Sequence, residues 1–234
     1  MRCAIRHMGD GLPHAEQQSA LGHCIQLRNT WQLDERLRSI VLDLSLARRA
    51  AELLGAPGLQ LYSDLLVVRE PGGPDDDWHL DAVRMPVPGD AVVAAYIPLS
   101  PASAGEGSLD LLVGSHLLPE CSEFKLHRAT TLKRIRGRLV RSGLPLLQAS
   151  PVPGDVTFIT GNVFHRVRQS ALKVPSVTLW VYYFLAGQTL IRPKNPFQAL
   201  ERERHFAEVA VGRPVLTPLT PLVCGKWVSA RASG

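Results

Sequence analysis

The sequence predicts a mainly β protein, an all-β sandwich or jelly roll supported by helices on one side. Three observations lead there. Helical periodicity is concentrated early, in residues 34–54. About eight short apolar stretches follow, with turn signals between them. The chain holds 18 prolines and 19 glycines, which suits many short strands joined by tight turns. At 234 residues it reads as a single domain, long enough to bury a real core.

The elements follow in order. Residues 1–30 are polar and irregular and read as a loosely held N-terminal arm, in which His7, His14 and His23 face solvent. Residues 34–55 supply the supporting helices. Asp34 caps the first, Asp43 or Ser45 the second, and Gly55 stands where a left-handed terminator belongs. From residue 59 to 68 the period changes to that of a strand, alternating and then fully apolar. Pro and Gly end it, and Asp75-Asp76-Asp77 make an exposed turn leading into Trp78-His79-Leu80-Asp81.

Residues 91–99 form a core strand and 108–113 a shorter one, ending in Gly114-Ser115-His116. Residues 156–160 and 163–168 are two strands joined by the Gly161-Asn162 turn. Residues 177–185 are nearly continuous apolar and aromatic, as in a strand buried on both faces. The tail from 187 to 234 holds one short helix around 196–207.

Composition narrows the function. Hydrophobic content of 45% and charged content of 20% are ordinary for a globular protein. Cys3, Cys24, Cys121 and Cys224 are scattered, with no C-x-x-C pair, which points to reduced thiols in a cytosol. The first residues show no apolar signal-peptide region, and no apolar run approaches the roughly 18 residues of a membrane span. The expected setting is cytoplasmic, with no membrane partner.

Residues 118–145 form a basic, lid-like insertion within the 59–186 core. Between 125 and 141 there are seven Lys or Arg residues, among them Arg134 and Arg138, and no acidic residue. Leu132, Ile135 and Leu139 fall on one side of a helical turn pattern there. Such a run is ordinarily a solvated face. The alternative is an electropositive lid over an anionic substrate. No aromatic platform interleaves the charges, so nucleic acid is not an expected partner.

The chemistry is expected at His79 and Asp81. A strand puts residues i and i+2 on one face, so imidazole and carboxylate point together. They make two thirds of a 2-His-1-carboxylate face, which holds Fe(II) and leaves positions open. With eight His and eleven Asp in the chain, a chance His-x-Asp is expected roughly 0.4 times, so the tripeptide needs a third ligand. His165 is the choice.

The ordered set Pro71-Gly72-Gly73-Pro74, Trp78-His79-Leu80-Asp81, Tyr96-Ile97-Pro98-Leu99-Ser100, Gly105-Glu106-Gly107-Ser108-Leu109, Gly114-Ser115-His116, Gly154-Asp155 and His165 resembles the phytanoyl-CoA dioxygenase-like family. The resemblance spans most of the chain. It implies a double-stranded β-helix, a cupin-like jelly roll, and an Fe(II)- and 2-oxoglutarate-dependent oxygenase that consumes dioxygen. It implies that His79, Asp81 and His165 are the iron ligands and that His116 supports the sheet near the site without ligating. A carboxylate at 81 implies oxygenation rather than halogenation.

One position departs from the family. Where the family places a Pro-Arg pair about ten residues beyond the distal His, with the Arg pairing the far carboxylate of 2-oxoglutarate, this chain has Pro175-Ser176. Ser176 and Thr178 offer hydroxyls but no charge. Arg69 is the first choice for a replacement cation, ahead of Arg168 and Lys173, which lie at the wrong strand parity. Trp78, Arg134 and Arg138 are expected to contact a small, mainly apolar substrate. Two alternatives stand beside this reading: an iron enzyme with an atypical or absent 2-oxoglutarate site, acting as a desaturase, isomerase or rearrangement catalyst, and a non-catalytic binding module.

Overall fold

The computed structural model describes residues 24–101, 109–118, 137–139, 141–169 and 173–227. Among these lie nine strands and three α-helices. In chain order they are β1 (Cys24–Arg28), α1 (Glu35–Val41), α2 (Leu44–Leu54), β2 (Gly58–Arg69), β3 (Val92–Pro98), β4 (Leu109–Leu112), β5 (Leu146–Ala149), β6 (Thr157–Thr160), β7 (His165–Val167), β8 (Ser176–Leu185), α3 (Pro196–His205) and β9 (Leu222–Gly225). No helix among the described residues is long and apolar enough to cross a membrane.

The strands form two antiparallel sheets of a jelly roll. The larger has the order β1-β2-β8-β3-β6, with β9 also paired to β2. The smaller has the order β5-β4-β7. Helices α1 and α2 pack on the outer face of the larger sheet, as the sequence suggested, while α3 lies on the cavity side. Asp34 Oδ1 accepts from the backbone of Arg36 and Leu37 to start α1, and Asp43, not Ser45, starts α2 by accepting from Leu46 N at 2.7 Å. Gly55 ends α2 at φ 63°, a conformation that carries no steric penalty for glycine.

β8 is buried on both faces. Val177, Leu179, Val181 and Tyr183 face the helices, where Tyr183 Oη donates to Val41 O at 2.9 Å. Trp180, Tyr182 and Phe184 face the space between the sheets. The strand alternation therefore separates a packing face from a cavity face.

Three strands escaped the sequence reading. β5 and β9 are four-residue strands, and Leu146 and Leu147 of β5 are half exposed, so neither shows an alternating pattern. β1 is the more consequential. Its residues fall in the stretch read as a loose arm, yet it pairs with the end of β2 from Cys24↔Arg69 to Arg28↔Leu65. Its inward positions include Gln26 and Arg28, which line a cavity rather than a core. An alternation test finds strands by their apolar inner face, and this one has a polar inner face.

A buried acid anchors the β1–α1 connection. Asp64 of β2 accepts from Thr30 N at 2.9 Å, from Trp31 N at 3.2 Å and from the Thr30 hydroxyl. The turn it holds contains Asn29 in the left-handed region, at φ 56°. Burial pushes the Asp64 carboxyl up to about 6, against the opposing pull of these donors.

Candidate metal centre

His79, Asp81 and His165 converge. One ligand atom from each lies within 4.8 Å of the others. His79 Nε2 is 3.9 Å from Asp81 Oδ1, and His165 Nε2 is 3.6 Å from Asp81 Oδ2. The imidazole rings are 4.4 Å apart and tilted by 56°.

The local geometry differs from the expected strand. His79 forms a single β-bridge with His165, and Asp81 opens a 3-10 turn, Asp81–Val83. Leu80 between them is extended, at φ −122° and ψ 131°. One extended residue is enough to bring the side chains of 79 and 81 to the same side. Ala82 N donates to Gly161 O at 3.0 Å, which ties the Asp81 turn to the β6–β7 connection that crosses between the sheets and leads to His165.

Each imidazole is oriented by its own chain. His79 Nδ1 lies 2.8 Å from Asp77 O, and His165 Nδ1 lies 2.9 Å from Val163 O. A carbonyl only accepts, so both Nδ1 atoms carry the proton and both Nε2 lone pairs point at Asp81. His165 Nε2 and Asp81 Oδ2 are buried without a hydrogen-bond partner. Such atoms are costly unless something binds them. Two neutral nitrogens and one carboxylate fit a divalent first-row metal. The His79 side chain is 36% exposed, with its Nε2 on the side of Asp81. Burial, reinforced by His165, lowers its pKa to about 4, so the ring is neutral at pH 7 and ready to ligate.

Beside the triad is a cavity of about 320 Å³. His79, Asp81, Trp180 and Tyr182 line one part, and Met85 and Phe197 add apolar surface. Its other walls are charged. Arg28, Tyr62 and Glu201 meet there, with Glu201 Oε2 accepting from Arg28 Nη1 at 3.1 Å and from Tyr62 Oη at 2.9 Å. α3 brings Glu201 into place by docking on the metal segment. Asn195 Nδ2 donates to Val83 O at 3.0 Å, and Gln198 Nε2 to Met85 O at 3.2 Å. Gln26, Arg28, Arg84 and Glu201 were not foreseen. The Arg28–Glu201 pairing spans 173 residues and leaves no local signal.

The remaining expected residues divide. Arg69 lines the cavity and is the register partner of Ser176, while Thr178 pairs with Val67. Thr178 is buried and Ser176 half-buried; neither lines the cavity. Arg69 Nη1 and Nη2 donate to the two carboxylate oxygens of Asp76 at 2.7 and 2.6 Å.

The structure places Trp78 away from the cavity. It stacks on Phe164 at 5.3 Å, with the Arg166 guanidinium 5.0 Å from its ring, because strand-like alternation turns it opposite to His79. Arg138 is exposed and does not line the cavity, whereas its neighbour Leu139 is buried with Leu80, Val83 and Phe164 behind the metal segment. Arg134 and most of the basic run lie outside the described residues. His116 is exposed and outside the triad, and Ser115 does the supporting, with Oγ accepting from Phe164 N at 2.8 Å.

The acidic turn is also more than solvated surface. Asp75 accepts from Gln169 N at 2.8 Å, Asp76 N donates to Val167 O at 2.9 Å, and Asp77 O orients His79.

Comparisons with known proteins point the same way. The sequence model of the phytanoyl-CoA dioxygenase (PhyH) family matches residues 6–170. No curated protein sequence matches the chain. Among solved structures, the non-heme alpha ketoglutarate dependent carbocyclase SnoK from nogalamycin biosynthesis is similar in fold, with a TM-score of 0.76 and 24% identity over 95% of this chain and 85% of that one. The epimerase SnoN in complex with Fe3+, alpha ketoglutarate and nogalamycin RO gives 0.74 and 16% over 95% and 87%. EctD from S. alaskensis, with 2-oxoglutarate and 5-hydroxyectoine, gives 0.59 and 16% over 93% and 77%.

Proposed function

Because the chain belongs to the phytanoyl-CoA dioxygenase family, we propose that it is an Fe(II)- and 2-oxoglutarate-dependent dioxygenase that oxidises a small molecule in the cavity beside His79, Asp81 and His165. The convergence of those three ligand atoms carries the reading. When bound, iron with 2-oxoglutarate and dioxygen supplies the oxidising power to break a substrate C–H bond.

The protein's own residues do the rest. Asp77 O and Val163 O fix the tautomers, so that His79 and His165 present lone pairs and Asp81 presents charge. Trp180 and Tyr182 give the cavity beside the centre an aromatic wall. Arg69 is assigned the far carboxylate of 2-oxoglutarate, a role that Ser176 and Thr178 on the neighbouring strand, outside the cavity lining, do not share. Two facts support this: the cross-strand register of Arg69 with Ser176, and its place in the cavity wall. A guanidinium on β2 then stands in for the Arg absent from 176.

The lining revises the expectation of a mainly apolar substrate. A buried Arg–Glu pair is a poor neighbour for a hydrocarbon. Arg28, Arg84 and Glu201 share the lining with Trp180, Met85 and Phe197, which suits a molecule with hydrogen-bonding groups as well as apolar surface.

Anaerobic titration with Fe(II), then 2-oxoglutarate, tests the reading. One iron per chain and a visible charge-transfer band on adding 2-oxoglutarate are expected. Iron binding without the band would favour a second reading, an iron enzyme with an atypical or absent 2-oxoglutarate site acting as a desaturase, isomerase or rearrangement catalyst. That reading draws on Ser176 and on the engagement of Arg69 with Asp76.

A further inference from the structure

The cation assigned to the cosubstrate already holds a carboxylate. Asp76 takes both Nη atoms of Arg69 in a bidentate pair, and both residues line the cavity that contains His79 and Asp81. The Arg69 side chain is only 10% exposed, and its Nε is buried without a hydrogen-bond partner. A buried guanidinium with an unused donor is a ligand-binding group whose strongest positions are taken.

The backbone that carries Asp76 is pinned. Its N–H donates to Val167 O, Asp75 accepts from Gln169 N, and Gln169 Nε2 donates to Glu70 O at 3.0 Å. The Asp76 side chain is 29% exposed, three times as open as that of Arg69. It has room to rotate toward solvent while the loop, and with it the Asp77 carbonyl that orients His79, stays in place.

We infer that Asp76 is an internal competitor for Arg69 and sets both the affinity and the selectivity of the cosubstrate site for a 2-oxo dicarboxylic acid. The inference rests on the assignment of Arg69 made above. An incoming far carboxylate either displaces Asp76 from the Nη atoms or shares Arg69 through Nε while facing the Asp76 charge. Both routes weaken dicarboxylate binding relative to an Arg69 without its partner. Neither affects a 2-oxo acid that has no second carboxylate. Asp76 therefore lowers the preference for 2-oxoglutarate over a 2-oxo monocarboxylate, and removing its charge restores that preference.

Calorimetric titration of the full-length chain loaded with Ni(II), a redox-inert stand-in for iron, tests this. Wild type and Asp76→Asn are each titrated with 2-oxoglutarate and with 2-oxobutyrate. The expected result is about tenfold tighter 2-oxoglutarate binding in the variant, equivalent to removing one modest charge repulsion, with 2-oxobutyrate binding unchanged. Asp76→Ala carries the same expectation, so poor folding of one variant does not decide the matter, and ligand-free melting curves identify it. A 2-oxoglutarate to 2-oxobutyrate ratio that stays constant or falls would overturn the role of Asp76 and leave Arg69 as anchor. Absence of 2-oxoglutarate binding in wild type and both variants would instead overturn the assignment of Arg69 itself.

Discussion

His79 and His165 exchange both of their backbone hydrogen bonds, His79 N to His165 O at 2.9 Å and His165 N to His79 O at 3.0 Å. Two residues 86 positions apart in sequence are thus locked as a cross-strand pair by their backbones alone. The spacing of the two rings is set by the ladder, and Asp81 completes the face from the adjacent turn.

The first prediction follows from that arrangement. Replacing His165 with Ala removes a fully buried candidate ligand. Metal affinity should fall by more than the roughly 10–100-fold that losing an orienting partner alone costs. Titration with Fe(II) or Co(II) under anaerobic conditions measures it, and an unchanged dissociation constant would remove His165 from the metal site.

Ser115 acts on the same histidine at one remove. Its hydroxyl is the acceptor for the Phe164 N–H, immediately before His165. Ser115→Ala should lower stability by about 1–3 kcal/mol, because a buried N–H loses its acceptor. Denaturant melts with and without metal measure this. A variant as stable as wild type would show that water replaces the hydroxyl.

Glu201, in the cavity wall, is the shared acceptor of Arg28 and Tyr62. Glu201→Ala should destabilise by on the order of 3 kcal/mol, since a buried ion pair loses one partner. Glu201→Gln, which still accepts from Tyr62, should cost less. Equal melting temperatures for the two variants would argue against this hydrogen-bonded arrangement.

Asp64 predicts a pH dependence with an unusual sign. Its carboxyl titrates at about 6 in the folded chain against an ordinary 3.8. Between those values the native state holds a proton that the unfolded chain has released. Its contribution is therefore full below about 4 and is lost as pH rises through 6, by on the order of 1–3 kcal/mol. Asp64→Asn removes the titration. The difference in melting temperature between wild type and this variant should change across pH 4 to 6.5, and parallel curves would refute the raised value.

Much of the architecture was readable because its signals are local. Asp34, Asp43 and Gly55 announce the helix ends by chemistry that acts within four residues. The continuous apolar run of β8 announces a doubly covered strand. The His-x-Asp spacing brings its two side chains together even though the backbone there is a bridge and a turn, because only one extended residue is needed.

What stayed hidden depends on long-range pairing. β1 has a polar inner face and so looked like an arm. Arg28 and Glu201 become partners only when the first strand and the last helix close on one cavity. Trp78 was expected to touch substrate from its place next to a ligand, but adjacency in an extended segment means the opposite side.

The division of β8 into two faces has a practical consequence. Val177, Leu179, Val181 and Tyr183 anchor the helices, while Ser176, Thr178, Trp180 and Tyr182 stand on the other side of the same backbone. Heritable variation at Trp180 and Tyr182, which line the cavity, can re-cut its shape while the first set keeps the scaffold assembled. A combinatorial library confined to Trp180 and Tyr182 is the economical place to look for altered ligand choice, and its members should retain melting behaviour near that of the parent more often than substitutions drawn from the odd-numbered side.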